Sequence, residues 1–389
     1  MKFSFIILLC FFSINITSAQ DTSYIKKIKY IIIYQDTFFF SSFPSIIKLP
    51  NKELYVAFRK APDRKKFGKK FNKHTDPNSY LVAVRSKDGE NWTKEPELIY
   101  ANPFGGVQDP CLIQLANKTI LCSSYSWVFL EPEDSCELKE PYIKTGKNAI
   151  FSGGYILQSK DKGKTWSAPI YPPPIKGIAH FDVFWDTIPA YNRGAMYEGR
   201  NKKIYWAVIG HDTLNRTSNH LLISEDKGLN WHYSGVIATD KKISFNEASI
   251  YETPKGDLVV FLRTANADNE AYIARSSDGG KTFQWESMNF QGHPLHALRL
   301  PDKRVLLTYG YRCEPFGVRA RILNSECTNF NTAPEIILRD DAVNPDIGYT
   351  WAVQLNRKRV LVVYYFNLEG EVRHIAGTIL EIKPSKRKK

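Results

Sequence analysis

Long runs with helical periodicity are missing from this sequence, and methionine occurs only 3 times in 389 residues. The absence of such runs argues against a helical bundle or an alternating α/β chain. No stretch after the first twenty residues is long and apolar enough to cross a bilayer. Cysteine numbers 6, and no Cys/His spacing resembles a zinc site. No metal or cofactor is therefore expected. An aromatic-basic motif of the nucleic-acid-binding kind is also missing.

What is present is short apolar stretches rich in β-branched and aromatic residues. They are separated by Gly, Pro, Asn, Asp and Lys, and read as many short strands. Aromatics make up 13% and hydrophobic residues 43%, ample for a sizeable core. Residues 1–19 read as a signal peptide. Lys2 supplies the charge, Phe3 to Ile14 the apolar stretch and Thr17-Ser18-Ala19 the cleavage site. A secreted or periplasmic protein without a transmembrane segment is expected. Removing Cys10 with the signal leaves Cys111, Cys122, Cys136, Cys313 and Cys327, an odd set unlike a disulfide scaffold. Cys111 and Cys122 fall on strands joined by a tight turn, where a bridge has room to form. Of the +13 formal charge, Lys2 leaves with the signal and five charges lie in the basic tail 383–389, so the body carries +7. The tail reads as solvated and disordered; the body would suit an anionic ligand.

Two phrases repeat. The first is Ser-x-Asp-x-Gly-x-x-aromatic, at Ser159–Trp166 and Ser224–Trp231. A third copy, shortened by register, lies at Ser276–Phe283, a fourth, one residue short, at Ser86–Trp92, and a worn fifth at Asn324–Phe330. Asp and Ser bond local amides, Gly takes positive φ and the ring packs inward, which suits a turn between strands. The second phrase is a hairpin with a polar turn. Its six copies run Pro44–Arg59, Asp109–Trp127, Arg193–Asp212, Glu247–Arg263, His293–Arg312 and Tyr349–Asn367. A lone hairpin cannot bury both faces, and stacking six around an axis solves this. The expected fold is all-β, a six-bladed β-propeller over 20–382 with Asp-box turns and no second domain. The strand near Ile28–Tyr34 is expected to pair with Ile375–Ile382 and close the ring.

With its Asp boxes and six blades, the mature chain resembles the sialidase superfamily, especially its exported BNR-repeat-like members. Strand direction places the Asp boxes on one face and collects polar residues at the other: Arg59, Gln108, Asp109, Arg193, His211, Asp212, Glu247, Arg263, His293, His296, Arg312, Asp346, Tyr349 and Asn367. The resemblance implies an exo-acting hydrolase of a terminal acidic sugar, sialic acid foremost. Tyr349 would be the nucleophile and Glu247 the carboxylate activating it, because a free phenol is only ~0.1% ionised at pH 7. Such enzymes retain configuration through a glycosyl-enzyme intermediate. Arg59, Arg263 and Arg312 would clamp the sugar carboxylate, with Asp109, Arg193, His211 and His293 as further substrate contacts. An Asp on the loop after Arg59 would be the acid; Asp63 and Asp76 both qualify, and Asp76 is preferred. One departure stands out, because Ser42-Phe43-Pro44 replaces the Arg-aliphatic-Pro phrase that supplies the family's first clamp arginine. Arg59 would have to compensate, and Arg319 is an alternative to Arg312. Otherwise the substrate is another acidic or neutral glycan, or the chemistry is elimination from a uronate by His211, His293, His296 and Tyr349. A non-catalytic glycan-binding propeller is the remaining reading. An acidic glycan is the expected partner, and the protein is expected to be a monomer.

Overall fold

The fold is drawn from a computed structural model that describes residues 24–384, apart from 71–73, 132, 135–137, 139–141, 146–147, 176–179, 213, 215 and 371. The signal segment and the last five residues of the basic tail lie outside the described residues, as does Cys136.

Six antiparallel sheets follow one another along the chain. The first blade is Phe39–Lys48, Leu54–Pro62, Tyr80–Ser86 and Glu97–Tyr100. The second has a broken inner strand, Gly105–Val107 and Cys111–Gln114, both paired with Ile120–Phe129, followed by Ala149–Ser159. The third runs Tyr197–Glu198, Ile204–His211, Thr217–Ser224 and His232–Ala238. The fourth contains Phe245–Glu252, Leu258–Thr264, Glu270–Ser276 and Gln284–Gln291. The fifth comprises Leu295–Arg299, Val305–Tyr311, Gly317–Leu323 and Ile336–Arg339. The sixth takes Gly348–Gln354, Arg359–Phe366 and His374–Ile382 from the end of the chain and Ile25–Tyr34 from its start. Ile25 pairs with Ile382 and Tyr34 with Ile375, so the ring closes by strand exchange between the two ends, as the sequence predicts. The chain is a six-bladed β-propeller.

Its apolar side chains are buried between blades rather than at one centre. Val56 and Phe58 of the first blade pack with Val353 and Leu361 of the sixth. Trp206 of the third packs with Leu121 and Ile156 of the second, and the other four blade junctions are built alike. Each sheet has an apolar residue on both faces, and a flanking sheet covers each.

The Asp boxes lie on the face opposite the second-strand ends. In four of the five copies the serine hydroxyl donates to the aspartate, as Ser159 to Asp161 at 2.8 Å and Ser224 to Asp226 at 2.9 Å; in the worn fifth, Asn324 Oδ1 accepts from the Glu326 and Thr328 amides. The third copy is full length rather than shortened, because Ser276 and not Ser277 donates to Asp278, at 2.7 Å. Gly163 has φ +81° and lies against Tyr55 of the first blade; Gly228 lies against Leu121 of the second. The boxes therefore dock each blade on the one before it. Cys111 and Cys122 are free and buried, with no bridge between them. Among the described residues no helix is long and apolar enough to cross a membrane.

Candidate active site

Three inner strands carry a register shift at the same end, between Ser42 and Ser45, between Phe245 and Ala248, and between Gly348 and Trp351. Such a bulge inserts an unpaired residue and re-aims its side chain. The residues skipped in these shifts are Phe43 and Pro44, Asn246 and Glu247, and Tyr349 and Thr350. Phe43 and Tyr349 adopt φ of +57° and +53°, a left-handed conformation that a bulky side chain rarely takes. Gly348 precedes Tyr349 at φ +99°, and a Cβ there would lie 2.8 Å from the Cα of Gly310 in the fifth blade. A side chain at 348 would push the two blades apart and carry Tyr349 with it.

Of these, Glu247 and Tyr349 meet around the axis. The Tyr349 hydroxyl donates to Glu247 Oε1 at 2.7 Å. Arg263 Nη1 donates to Glu247 Oε2 at 2.5 Å and to the Tyr349 hydroxyl at 3.1 Å. Arg263 Nε donates to His293 Nδ1 at 2.5 Å. The Arg193 and Arg312 guanidiniums lie 5.0 and 5.3 Å from the centre of the Tyr349 ring. Arg312 is held by the Ile347 carbonyl and the Tyr365 hydroxyl, and that hydroxyl donates in turn to Asp346 at 2.7 Å. Asp109 lies 4.0 Å from Arg193 Nε and accepts from the Tyr125 hydroxyl at 3.2 Å. Glu247 and Tyr349 are both buried, whereas Arg263 and Arg312 are half-buried. Tyr349, Glu247, Arg263, Arg312, His293, Arg193 and Asp109 thus form one cluster.

Burial governs the protonation of this cluster. It raises the Tyr349 phenol well above the ordinary range; Glu247 adds to the rise and Arg263 and Arg312 oppose it. The resting phenol is neutral, with Glu247 positioned to take its proton. Burial, with Arg263 and Arg312 assisting, holds His293 down to about 2, and burial beside Arg193 holds His296 down to about 3. Both imidazoles are neutral in the working range. Asp109 is pushed up to about 7, chiefly by burial.

Arg59, Asp76 and His211, with the alternatives Asp63 and Arg319, are not bonded to Tyr349, Glu247 or Arg263. Arg59 lies inside its strand, opposite Ser42, and is 0% exposed. Its Nε donates to the Val107 carbonyl, and neither Nη has a partner. Burial holds it down to about 10. Its guanidinium is enclosed, whereas Arg263 and Arg312 are half-buried. Asp76 is buried and chelated by Arg64, with Nε and Nη2 both at 2.8 Å, and it also accepts from the Asn78 amide. Asp63 accepts from the Lys65 amide and caps the short 3-10 helix Arg64–Phe67. His211 stacks on Tyr191 at 5.9 Å and bonds its hydroxyl. It belongs to an adjoining group with His180, one ring out from the cluster. Arg319 bonds carbonyls of its own blade.

Sequence reasoning did not single out Phe43 or Tyr125. Phe43 packs on Tyr349 with ring centres 4.7 Å apart, under His74, whose Nε2 lies 3.2 Å from Asp346. The signal for Phe43 was its place inside the departing Ser-Phe-Pro phrase. Tyr125 had none, being one of several aromatics in Ile120–Phe129. Among the described residues no group of three or more His, Cys, Asp or Glu is placed to hold a metal ion.

Residues 142–362 match the BNR repeat-like domain family. A Dyadobacter fermentans protein of unknown function shares 60% identity and superimposes with a TM-score of 0.91, over 92% of this chain and all of that one. A Hadza microbial sialidase aligns with a TM-score of 0.62 at 15% identity, over 87% of this chain and 65% of its own. A Trypanosoma rangeli sialidase aligns with a TM-score of 0.61 at 14% identity, over 91% of this chain. The chain spans only 58% of that trypanosomal enzyme. At these identities the two sialidases share the fold.

Proposed function

The chain belongs to the BNR repeat-like family, and from that premise we propose that it is an exported, exo-acting glycoside hydrolase that releases a terminal acidic sugar, sialic acid foremost. One observation carries the reading: the Tyr349 hydroxyl, the Glu247 carboxylate and the Arg263 guanidinium touch one another at the axis, brought there from the sixth and fourth blades. A phenol held neutral by burial needs a base at the moment of attack, and Glu247 is within hydrogen-bond reach of it. Attack by Tyr349 on the anomeric carbon would pass the phenolic proton to Glu247. The resulting glycosyl-enzyme would then be hydrolysed with retention. Arg263 and Arg312, with Arg193 behind the Tyr349 ring, offer the positive charge an anionic sugar requires.

The sealed position of Arg59 favours a second reading of the substrate. With Ser42 in the first clamp position and Phe43 against Tyr349, two half-buried arginines face the mouth rather than three. That arrangement leaves a uronate-directed hydrolase as the second reading. Elimination by His293 is disfavoured, since an imidazole held down to about 2 is a poor base at neutral pH. The test is a panel of aryl sialosides, glucuronides, iduronides and galacturonides, with matching polysaccharides, given to the purified mature protein. Release from sialosides supports the first reading and release from uronides alone the second. Failure on every substrate would leave a binding propeller.

A further inference from the structure

The loop aspartate expected to protonate the leaving group is fully occupied. Both Asp76 oxygens are taken by Arg64, and one also by the Asn78 amide. Neither oxygen is left facing the cluster around Tyr349 with an open position. Asp63 is engaged at the helix cap. The site nevertheless needs a donor on the substrate side of Tyr349.

A different carboxyl belongs to the same cluster. Asp109 opens the second blade between its two inner-strand segments, 1% exposed. Tyr125, from the neighbouring strand, donates to Oδ2, while Oδ1 is buried with no protein partner. The Arg193 guanidinium neighbours both Asp109 and the Tyr349 ring, so the two groups flank one side chain. A buried carboxyl with an unpartnered oxygen in a cluster of this kind is costly unless that oxygen meets a ligand or water, or carries a proton.

We infer that Asp109, rather than an aspartate of the loop after Arg59, is the proton donor of this site; the inference rests on the hydrolase reading above. Its carboxyl gives a proton to the glycosidic oxygen as the bond to the anomeric carbon breaks and the bonding pair moves to that oxygen. The Tyr349 oxygen forms the new bond to carbon, and its proton passes to Glu247. Water then attacks the anomeric carbon and yields its proton to the Asp109 carboxylate. The Tyr349–carbon bond pair returns to the phenolic oxygen, which recovers its proton from Glu247. The charged and titratable groups facing Asp109 are Arg59, Cys111, Tyr125, Arg193, Glu247 and Tyr349. Burial is the largest influence, opposed by Arg193 and Arg59 and reinforced by Glu247, and it keeps the proton on Asp109 up to about pH 7.

The test compares two substrates in the full-length mature protein: sialyllactose, whose alcohol must be protonated to leave, and 4-nitrophenyl sialoside, whose phenolate leaves without help. Asp109→Asn should lose about 10²–10⁴-fold in kcat/KM on sialyllactose and far less on the nitrophenyl substrate. Added azide, which needs no base to attack, should restore turnover of the aryl substrate as sialyl azide. Asp76→Asn should change both substrates by the same factor. Tyr125→Phe removes a bond that favours the Asp109 carboxylate, so the alkaline limb of the kcat/KM profile should move to higher pH. Equal losses on both substrates in Asp109→Asn, no azide rescue, or an unmoved limb in Tyr125→Phe overturns the assignment while leaving the hydrolase reading intact. Wild-type protein inert on both substrates and on every uronide of the panel removes that reading and the assignment with it.

Discussion

Replacing Tyr349 by Phe separates chemistry from architecture at this site. The ring keeps its contacts with Phe43 and Tyr365, at 4.7 and 5.7 Å between centres, and stays under Arg193 and Arg312. What is lost is one hydroxyl, its 2.7 Å bond to Glu247 and the 3.1 Å bond it accepts from Arg263. Glu247 keeps Arg263 at 2.5 Å, so no buried charge is orphaned. A hydrogen bond to a charged partner contributes about 1.5–3 kcal/mol. Unfolding entropy of about 2.1 cal/mol/K per residue over roughly 360 residues gives ~0.75 kcal/mol/K, so Tm should fall by about 2–4 °C. Turnover should fall by at least about 10³-fold, because the atom that forms the glycosyl-enzyme bond is gone. Differential scanning calorimetry and release from an aryl glycoside identified in the substrate panel measure the two quantities. Turnover within tenfold of wild type would refute a nucleophilic role. A Tm drop of more than about 10 °C would mean that the hydroxyl holds the blades together.

Three further outcomes follow from the same contacts. Arg263→Met leaves the Glu247 carboxylate buried without its cation and should cost about 3–5 kcal/mol in urea unfolding; adding Glu247→Gln should recover most of it, since the carboxylate left without its cation is then gone. Gly106→Ala would place a Cβ 1.9 Å from the Asp76 carbonyl, so the 63–80 loop must shift; lower Tm and faster proteolytic cleavage there check this, and an unchanged Tm contradicts it. Asp109 holds its proton to about pH 7 against an ordinary value of 3.8, so the native state binds that proton more tightly than the unfolded chain. Its contribution is complete below about pH 4 and is lost as pH rises to about 7, on the order of a few kcal/mol. The stability of Asp109→Asn relative to wild type should therefore rise across that window and level off above it, and a difference independent of pH would contradict the assignment of a raised pKa.

The fold was legible because each blade repeats a local device. Hairpins with a polar turn recur six times, and the Asp box fixes a turn by bonds within about four residues, so a short window of sequence contains the whole reason for it. The meeting of Glu247, Arg263, Arg312 and Tyr349 was legible for a related reason: strand direction alone assigns the ends of strands to a face. Asp76 and Arg59 were not legible in the same way. The partner of Asp76 is Arg64, twelve residues away on a loop without periodicity, and nothing in the spacing marks that pair. Cys111 and Cys122 lie on neighbouring strands but face Ser123 and Leu112 rather than each other, a matter of register that the turn between them does not fix.

Arg59 shows where strand counting stops working. Arg263 lies one pair from the end of its ladder, where Phe245 meets Thr264, and Arg312 directly follows its strand. In the first blade pairing resumes beyond the bulge and continues through Ser41, Phe40 and Phe39, opposite Lys60, Ala61 and Pro62. The same hairpin phrase therefore ends three residues later, and Arg59 is enclosed on the Phe40 ring at 5.4 Å. The extra pairs come from Phe39-Phe40-Ser41-Ser42, an uncharged segment that stays in the sheet and buries Phe40, Ser41 and Ser42. A single departure thus accounts for three features at once: a serine rather than an arginine at 42, the burial of Arg59 opposite it, and the Phe43 ring set against Tyr349. If the first blade were shortened, by Phe40→Pro at a position whose neighbours pair on both sides, the ladder should end at Ser42 and Arg59 should become reachable. Labelling of Arg59 by an arginine-specific dicarbonyl reagent, silent in the wild type and positive in the variant, tests that link, and equal labelling of both would break it.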